Sequence, residues 1–484
     1  MNRIVSSPLV LLATIWCFIL VAVAVGPIDY ATQPSLAVLC LVGAGTLLFM
    51  GAYQGGAWAF AFSGADRSDR SPPSARLLNT VAALISIAGI CGIGLIALDR
   101  LVLSGVGGAQ YAELLRCAPD LVDLIEVKRT PALYFGYLFF SFGYVSLALL
   151  VLKAEEIRGW AAVLTQLSVV CPIGYALLYS GRMPILLLIA MIVSAMLVRY
   201  RQGRKMFPTR HRLLLKLVIV FVLFAAYSMA MWSTRQAYCL QASSLIGELQ
   251  KRMRDSNTLS SGVGKVEGVE FGRMAAQIKP GVVIETAKVG ETLAAMKQSW
   301  HVTPRGYVMM AIDSGWLSPS AARSLLNTYF YLTHGVRIID VTWRERELFT
   351  PHWGVYEIGV LSPVLRVFYP QSDALSRMST QLNAAEIKGF FPTIWAAAFI
   401  DFGLVGAVIY ALIWGAVAGW SAAGSRTSTL VTPQLLLAFI LASIFLSPIQ
   451  APLGIANSAL VLLAVLATGL VLDITSRKMD REQV

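Results

Sequence analysis

Arg182 lies in SGRMP (180–184), a short break between two apolar runs, and Pro184 suits the first turn of the helix that follows. Far downstream, TYFYLTHGVRIIDVTWRE (328–345) sets His334 and Arg337 beside Tyr331 and Thr333. A guanidinium presents a planar donor fork that fits a phosphate or diphosphate. An imidazole, whose ordinary pKa lies near neutrality, takes up or hands on a proton. Around these, Arg305, Arg323, Arg337, Arg344, Arg346, Arg366 and Arg377 alternate with Tyr307, Trp316, Tyr329, Tyr331, Trp343, Trp353 and Tyr356. The combination suits sugar rings stacked on aromatic faces beside phosphates held by guanidinium groups. It also suits a plain headgroup belt of Trp and Tyr with solvated Arg, and Arg182 alone also fits a cation snorkelling at a helix end.

His334 is the first choice for a general base or diphosphate contact. Gly335 is expected to end the aromatic helix and leave the imidazole beside open space, with a structural His capping that helix as the competing reading. His352, beside Trp353, is a second candidate. Among the carboxylates, Glu357 and Asp340 are placed to orient a base or a sugar hydroxyl, while Glu345 and Glu347 are expected to pair with Arg344 and Arg346. The candidate catalytic set is therefore His334, Arg182 and Arg337. The candidate substrate-binding set is Arg305, Tyr331, Thr333, Arg344, His352, Glu357 and Arg366.

These residues need a scaffold, and composition fixes its kind. Of 484 residues 57% are hydrophobic and only 14% charged, and the mean hydropathy is +0.67, far outside the soluble range. Apolar runs able to cross about 30 Å of hydrocarbon fall near 8–26, 35–53, 77–98, 133–152, 160–179, 183–199, 213–232, 401–420, 434–449 and 454–473. Pro448 and Pro452 interrupt the last stretch, and FFPTIWAAAF (390–399) reads as a shallow re-entrant or interfacial segment. The expected fold is all-α and polytopic, with about ten or eleven spans. Its parts are a transmembrane bundle over 1–232, a mostly helical loop domain over 233–388, final spans over 389–475 and a tail over 476–484. Within the loop domain, helices are expected over 236–254, 284–300 and 320–333, and a flexible stretch over 255–281.

Lys and Arg in short loops are retained in the cytoplasm. Arg67, Arg70, Arg76, Lys153, Arg158, Arg426 and Arg477 then fall inside, with the cluster at 199–212 as the strongest signal. Both termini are cytoplasmic on this reading, the first span is a retained helix, and the 233–388 block lies outside. RYRQGRK (199–205) reads as a topology anchor touching anionic lipid, so the net charge of +12 calls for no nucleic acid. Cys117 and Cys239 both fall outside, where a disulfide is one option.

The chain contains no Walker loop, strand-flanked GxGxxG, HExxH or DxD, so nucleotide hydrolysis, a dinucleotide cofactor and zincin or metal–nucleotide-sugar chemistry lack support. No metal or other cofactor is called for. Carboxylates or His at mid-membrane depth, which couple ions to transport, are scarce, which disfavours a secondary transporter.

SGRMPILLL, the large outer loop, TYFYLTHGVR and FFPTIWAAAFIDFGLVGA, with its Asp-Phe-Gly entry into a late helix, together resemble the Wzy-type O-antigen polymerase family. The outer block here is longer and more charged than in many of its members. The resemblance implies a GT-C-like membrane fold in the bacterial inner membrane and a metal-free glycosyltransferase acting at the periplasmic face in lipopolysaccharide or exopolysaccharide synthesis. It implies transfer of a growing glycan from undecaprenyl diphosphate to the non-reducing end of a lipid-linked repeat unit. Membrane lipids, a flippase and a chain-length regulator are the implied partners. An O-antigen ligase, which uses the same donor, is the nearest alternative, and a lipid-linked oligosaccharide flippase or exporter is the alternative from another class.

Overall fold

The computed structural model describes residues 7–63, 72–104, 125–126, 130–179, 181–206, 222–223, 226–227, 247, 266–267, 301–369, 372–387, 392–454 and 456–483. The protein is all-α and multi-pass: it is mostly helical, and among the described residues eight helices are long and apolar enough to cross a membrane. They are α1 (Pro8–Val25), α2 (Leu36–Phe62), α3 (Ala75–Leu98, running on as a π-turn to Leu103), α4 with α5 (Pro131–Phe140, Phe142–Leu152), α6 with α7 (Gly159–Leu167, Val170–Leu178), α8 (Met183–Arg201), α13 (Ile394–Thr427) and α15 (Ala456–Gln483). Between α8 and α13 lie α9 (Gly306–Asp313), α10 (Pro319–Arg344), α11 (Leu361–Phe368) and α12 (Ala374–Ala384). Of the expected span 213–232 only 222–223 and 226–227 are described, and of the expected helix 236–254 only residue 247, all of them helical; the expected helix 284–300, Cys117 and Cys239 lie outside the described residues. Of the stretch 255–281, only Val266–Glu267 is described, paired in parallel with Ile125–Glu126.

The late spans follow the sequence with two differences. α14 (Val431–Leu446) is 16 residues long and buried on nearly every side, so it forms the centre of the bundle. A helix apolar all round has that place. It stops where Ser447 and Pro448 end the regular hydrogen bonding, and 447–454 becomes a loop. FFPTIWAAAF does not stand apart from the next span. Thr393 caps Ala396 N–H, and the helix runs through Asp401 into a kink at Gly403, whose φ of 65° only glycine adopts without strain.

Below the kink α13 lies directly on α2. Gly415 and Gly419, four residues apart, meet the backbone carbonyls of Phe49 and Tyr53, and Gly56 meets Ala416 in return. Such small residues let membrane helices approach to backbone contact, where van der Waals packing replaces the hydrophobic drive that lipid abolishes.

The basic loops gather at one end of the bundle. Asn79 bonds Glu156 O and Arg158 N, Gln202 donates to Ser425 O at 3.0 Å, and Asp473 caps Val431 N and Thr432 N. Within 199–205, read as a topology anchor at the lipid surface, Arg199 itself is instead a buried structural residue. Its side chain is fully buried, binds both carboxylate oxygens of Glu155, and donates to Val151 O, Leu152 O and Lys205 O at 3.0–3.2 Å. Arg204 also pairs with Glu155 and Glu156. Helix ends leave carbonyls unsatisfied, and a five-donor side chain closes several at once. Arg199→Ala is expected to cost about 3 kcal/mol, because it strips buried carbonyls of their donor. Thermal unfolding in detergent against Arg199→Lys checks this; equal melting of wild type and Arg199→Ala would contradict it.

At the opposite end, β1 (Ile28–Tyr30) pairs antiparallel with β2 (Val302–Pro304) in the register Ile28↔Pro304, Asp29↔Thr303 and Tyr30↔Val302. This ties the first loop to the block that carries α10.

Candidate functional site

α10 begins at Ser318, whose hydroxyl accepts from Ala321 N–H, and runs through to Arg344. The expected end at Gly335 is therefore corrected. A Cβ at Gly335 would strike the Pro448 carbonyl and the Thr393 methyl, so this glycine serves close approach to the 447–454 loop and not helix termination. His334 consequently sits in mid-helix and is only 2% exposed, against the expectation of open space. Its Nδ1 lies 3.1 Å from Phe330 O and 3.0 Å from Tyr331 O. Donation from Nδ1–H to those carbonyls puts the basic lone pair of the neutral ring on Nε2. Phe330 stacks on the imidazole with centroids 5.2 Å apart, and Tyr331 meets it edge-on at 5.9 Å.

Arg182, the residue before α8, places its guanidinium 4.8 Å from the Tyr331 ring centroid. Two sequence positions far apart thus converge as Arg182, Tyr331 and His334. Thr333, fully buried, shares a 2.7 Å hydrogen bond with the Tyr30 hydroxyl. Arg337, three residues beyond His334 and so on the same helical face, is half-buried near Tyr30 and Glu386, and burial lowers its pKa from the usual value. Asn327 shares the stripe with Tyr331 and His334 (i, i+4, i+7), and both polar atoms of its amide are buried without a hydrogen-bond partner among the described residues. A buried amide left unsatisfied is costly, which makes Asn327 a candidate contact for a polar ligand.

A second centre lies across the 447–454 loop, whose Pro448 touches Gly335 and whose Leu453 N–H points at Glu357 Oε1 at 3.4 Å. The Asp401 carboxylate accepts from Tyr356 N–H and Glu357 N–H, and its carbonyl accepts from His352 N–H and Trp353 N–H. Tyr410 donates to Glu357. His352 is 6% exposed, with Nε2 2.8 Å from Gln381 Oε1, and burial lowers its pKa. Glu357 is fully buried rather than open to a sugar hydroxyl, and its Oε2 has no hydrogen-bond partner among the described residues.

Burial pushes the Glu357 carboxyl up to about 8. An unfolded Glu ionises near its ordinary value while the folded one stays protonated, so the stability it contributes is complete below about pH 4.5 and is lost as pH rises toward 8. Between pH 5 and 8 the loss is on the order of 3 kcal/mol. Glu357→Gln is expected to flatten this slope and to melt higher than wild type at pH 8. Parallel pH profiles of melting temperature for the two proteins would contradict it.

The remaining predicted residues are spread along the same end. Arg305 pairs with Asp29 at 2.7 Å and donates its backbone N–H to Pro27 O, which makes it a strut between the first loop and the block that carries α10. Arg344 pairs with Asp340 at 2.8 Å and not with Glu345, because four residues along a helix bring side chains together and one residue does not. Asp340 in turn accepts from Ser35 N and Oγ. Arg346 stacks on Trp343 at 5.3 Å. Arg366 lies within α11, apart from α10 in sequence. Sequence reasoning missed Tyr30, Asn327, Gln381 and Tyr410. Only Asn327 had a signal, its helical spacing from Tyr331 and His334.

Among the described residues no three His, Cys, Asp or Glu side chains gather as a metal site requires. The chain matches no family model, no curated protein and no solved structure.

Proposed function

We propose that the protein polymerises lipid-linked oligosaccharide repeat units at the periplasmic face of a bacterial inner membrane. A growing glycan passes from undecaprenyl diphosphate to the non-reducing end of an incoming lipid-linked unit. The observation that carries this reading is the convergence of Arg182, Tyr331 and His334, with Arg337 one turn further along the same helix.

Arg182 and Arg337 neutralise the departing diphosphate. The bond between the anomeric carbon and the diphosphate oxygen breaks, its electron pair leaves with the diphosphate, and two guanidinium groups make that departure easier. The acceptor hydroxyl oxygen forms the new bond to the anomeric carbon, and His334 Nε2 takes its proton. Tyr331 offers a ring face to a sugar, and the Asn327 amide bonds its hydroxyls. Much of the rate comes from holding the two glycans in line. On this reading Arg305, Asp340 and Asp401 position the loops and are not contacts to the reacting atoms. A flippase that delivers the units and a chain-length regulator are the expected partners.

The test is purified protein with a defined undecaprenyl-diphosphate repeat unit, with no nucleotide added, resolved on a gel. A ladder of glycan lengths supports polymerisation. A single product formed only when lipid A core is added identifies a ligase, and neither product with lipid movement across vesicles identifies a transporter.

A further inference from the structure

Among the described residues other than glycine, three have a positive φ, and two of them meet: His301 (φ 52°) and Glu386 (φ 55°), whose Nε2 and Oε2 lie 3.3 Å apart. Glu386 holds the place where α12 turns off in the left-handed conformation. Its N–H bonds the Asn383 carbonyl and the Ile387 N–H bonds the Leu382 carbonyl, each at 3.0 Å, which closes the helix as a Schellman motif with Leu382 and Ile387 buried. Glycine is the usual residue there, because a side chain in that conformation is strained. His301 is fixed just before β2, where its carbonyl accepts from Ala31 N–H at 2.9 Å. Neither side chain is packed away: 42% of the imidazole side chain and 69% of the glutamate side chain stay exposed. Two strained positions thus present opposite charges to each other with no gain from burial, and strain kept without a packing reason points to a role for the charges.

The Glu386 charge acts on Arg337 as well, and among the described residues the Arg337 guanidinium has no hydrogen bond or ion pair of its own. The other charges on the neighbouring elements are already matched: Asp29 of β1 with Arg305 at 2.7 Å, Asp373 of α12 with Arg377 at 3.2 Å, and Asp340 of α10 with Arg344 at 2.8 Å. Tyr30 of β1 is neutral, burial pushing its hydroxyl pKa up. His334 and His352 are bound elsewhere, to the Phe330 and Tyr331 carbonyls and to Gln381. One carboxylate therefore serves two cations. We infer that His301 is a charge switch for Arg337: protonated, it holds Glu386 to itself and leaves the guanidinium open to an anion, and neutral, it releases Glu386 to Arg337. The inference rests on the proposed place of Arg337 at a diphosphate and makes that place stronger at the acid end of the range over which imidazoles titrate. Because the pair is exposed, the switch is worth at most about fivefold in anion affinity.

The test is calorimetric titration of inorganic pyrophosphate into the full-length protein in detergent, at about pH 5.5 and about pH 8, on either side of imidazole titration. Comparing variants at equal pH cancels the protonation of pyrophosphate itself. His301→Asn removes the charge while asparagine tolerates the left-handed backbone, and it is expected to bind about fivefold more weakly than wild type at the lower pH and equally at the higher. Glu386→Gln is expected to bind at least as tightly as wild type, and to restore the lost affinity when combined with His301→Asn. In an Arg337→Ala background these differences are expected to vanish. A merely structural His301 would instead weaken binding equally at both pH values, with no rescue by Glu386→Gln. Equal affinities of wild type and His301→Asn at the lower pH, a defect that survives Glu386→Gln, or no Arg337-dependent binding by wild type overturns the inference. If the pattern holds in a protein that forms no glycan ladder, the switch stands while the polymerase reading falls; a ladder from a protein whose affinities ignore His301 leaves that reading standing while the switch falls.

Discussion

On the proposed polymerase reading, replacing His334 by alanine is expected to slow chain growth by about 10²–10⁴-fold with little change in KM, since a positioned general base acts in the transition state and not in ground-state binding. The geometry makes the expectation specific. Nδ1 is held against the Phe330 and Tyr331 carbonyls, which fixes the ring on the helix and leaves Nε2 as its basic atom. His334→Gln keeps a polar side chain but no basic ring nitrogen, so it should be as slow as alanine. A histidine that only filled space between Phe330 and Tyr331 would behave otherwise. The glutamine variant would then recover most of the rate, and any residual loss would track its melting temperature. Initial rates of ladder formation for the three proteins, with melting curves beside them, decide between these.

On the same proposed reading, Arg182→Ala is expected to cost about 10²–10³ in kcat, the scale of removing one fixed charge from a developing anion. Lysine at this position should restore only part, because a point charge on a flexible stem lacks the fork that grips a phosphate through two parallel hydrogen bonds. The guanidinium is aimed by Tyr331, whose ring lies 4.8 Å below it. Tyr331→Leu removes about 0.5–1 kcal/mol of that hold and should slow transfer only severalfold. A leaving group with a lower intrinsic pKa should shrink the Arg182→Ala defect, since it needs less stabilisation as it departs. An Arg182→Ala enzyme that grows chains at the wild-type rate would remove Arg182 from the site.

The positions of the spans were legible because a helix that crosses hydrocarbon must satisfy its own backbone and present apolar side chains over a fixed length. The runs at 8–26, 77–98 and 183–199 appear as α1, α3 and α8 nearly residue for residue, and Pro448 and Pro452 mark a real loop. The candidate site was legible in part. Residue type brought out Arg182, Tyr331, His334 and Arg337, but nothing in their spacing set Arg182 over Tyr331.

Local readings failed where a residue's neighbours lie far off in sequence. Gly335 looks like a helix stop and is a packing glycine, because Pro448 and Thr393 press against that side of α10. Arg199 looks like a surface anchor and is a buried hub, because the end of α5 needs donors. Tyr30, from the first loop, reaches Thr333 only because β1 pairs with β2. Composition and hydropathy alone determined that the chain is an all-α multi-pass membrane protein, since those depend on each segment's own transfer free energy. Tertiary structure alone decided which polar groups meet, and so where the candidate site lies, because a polar group inside a bundle is placed by the partner that satisfies it, wherever in the sequence that partner sits.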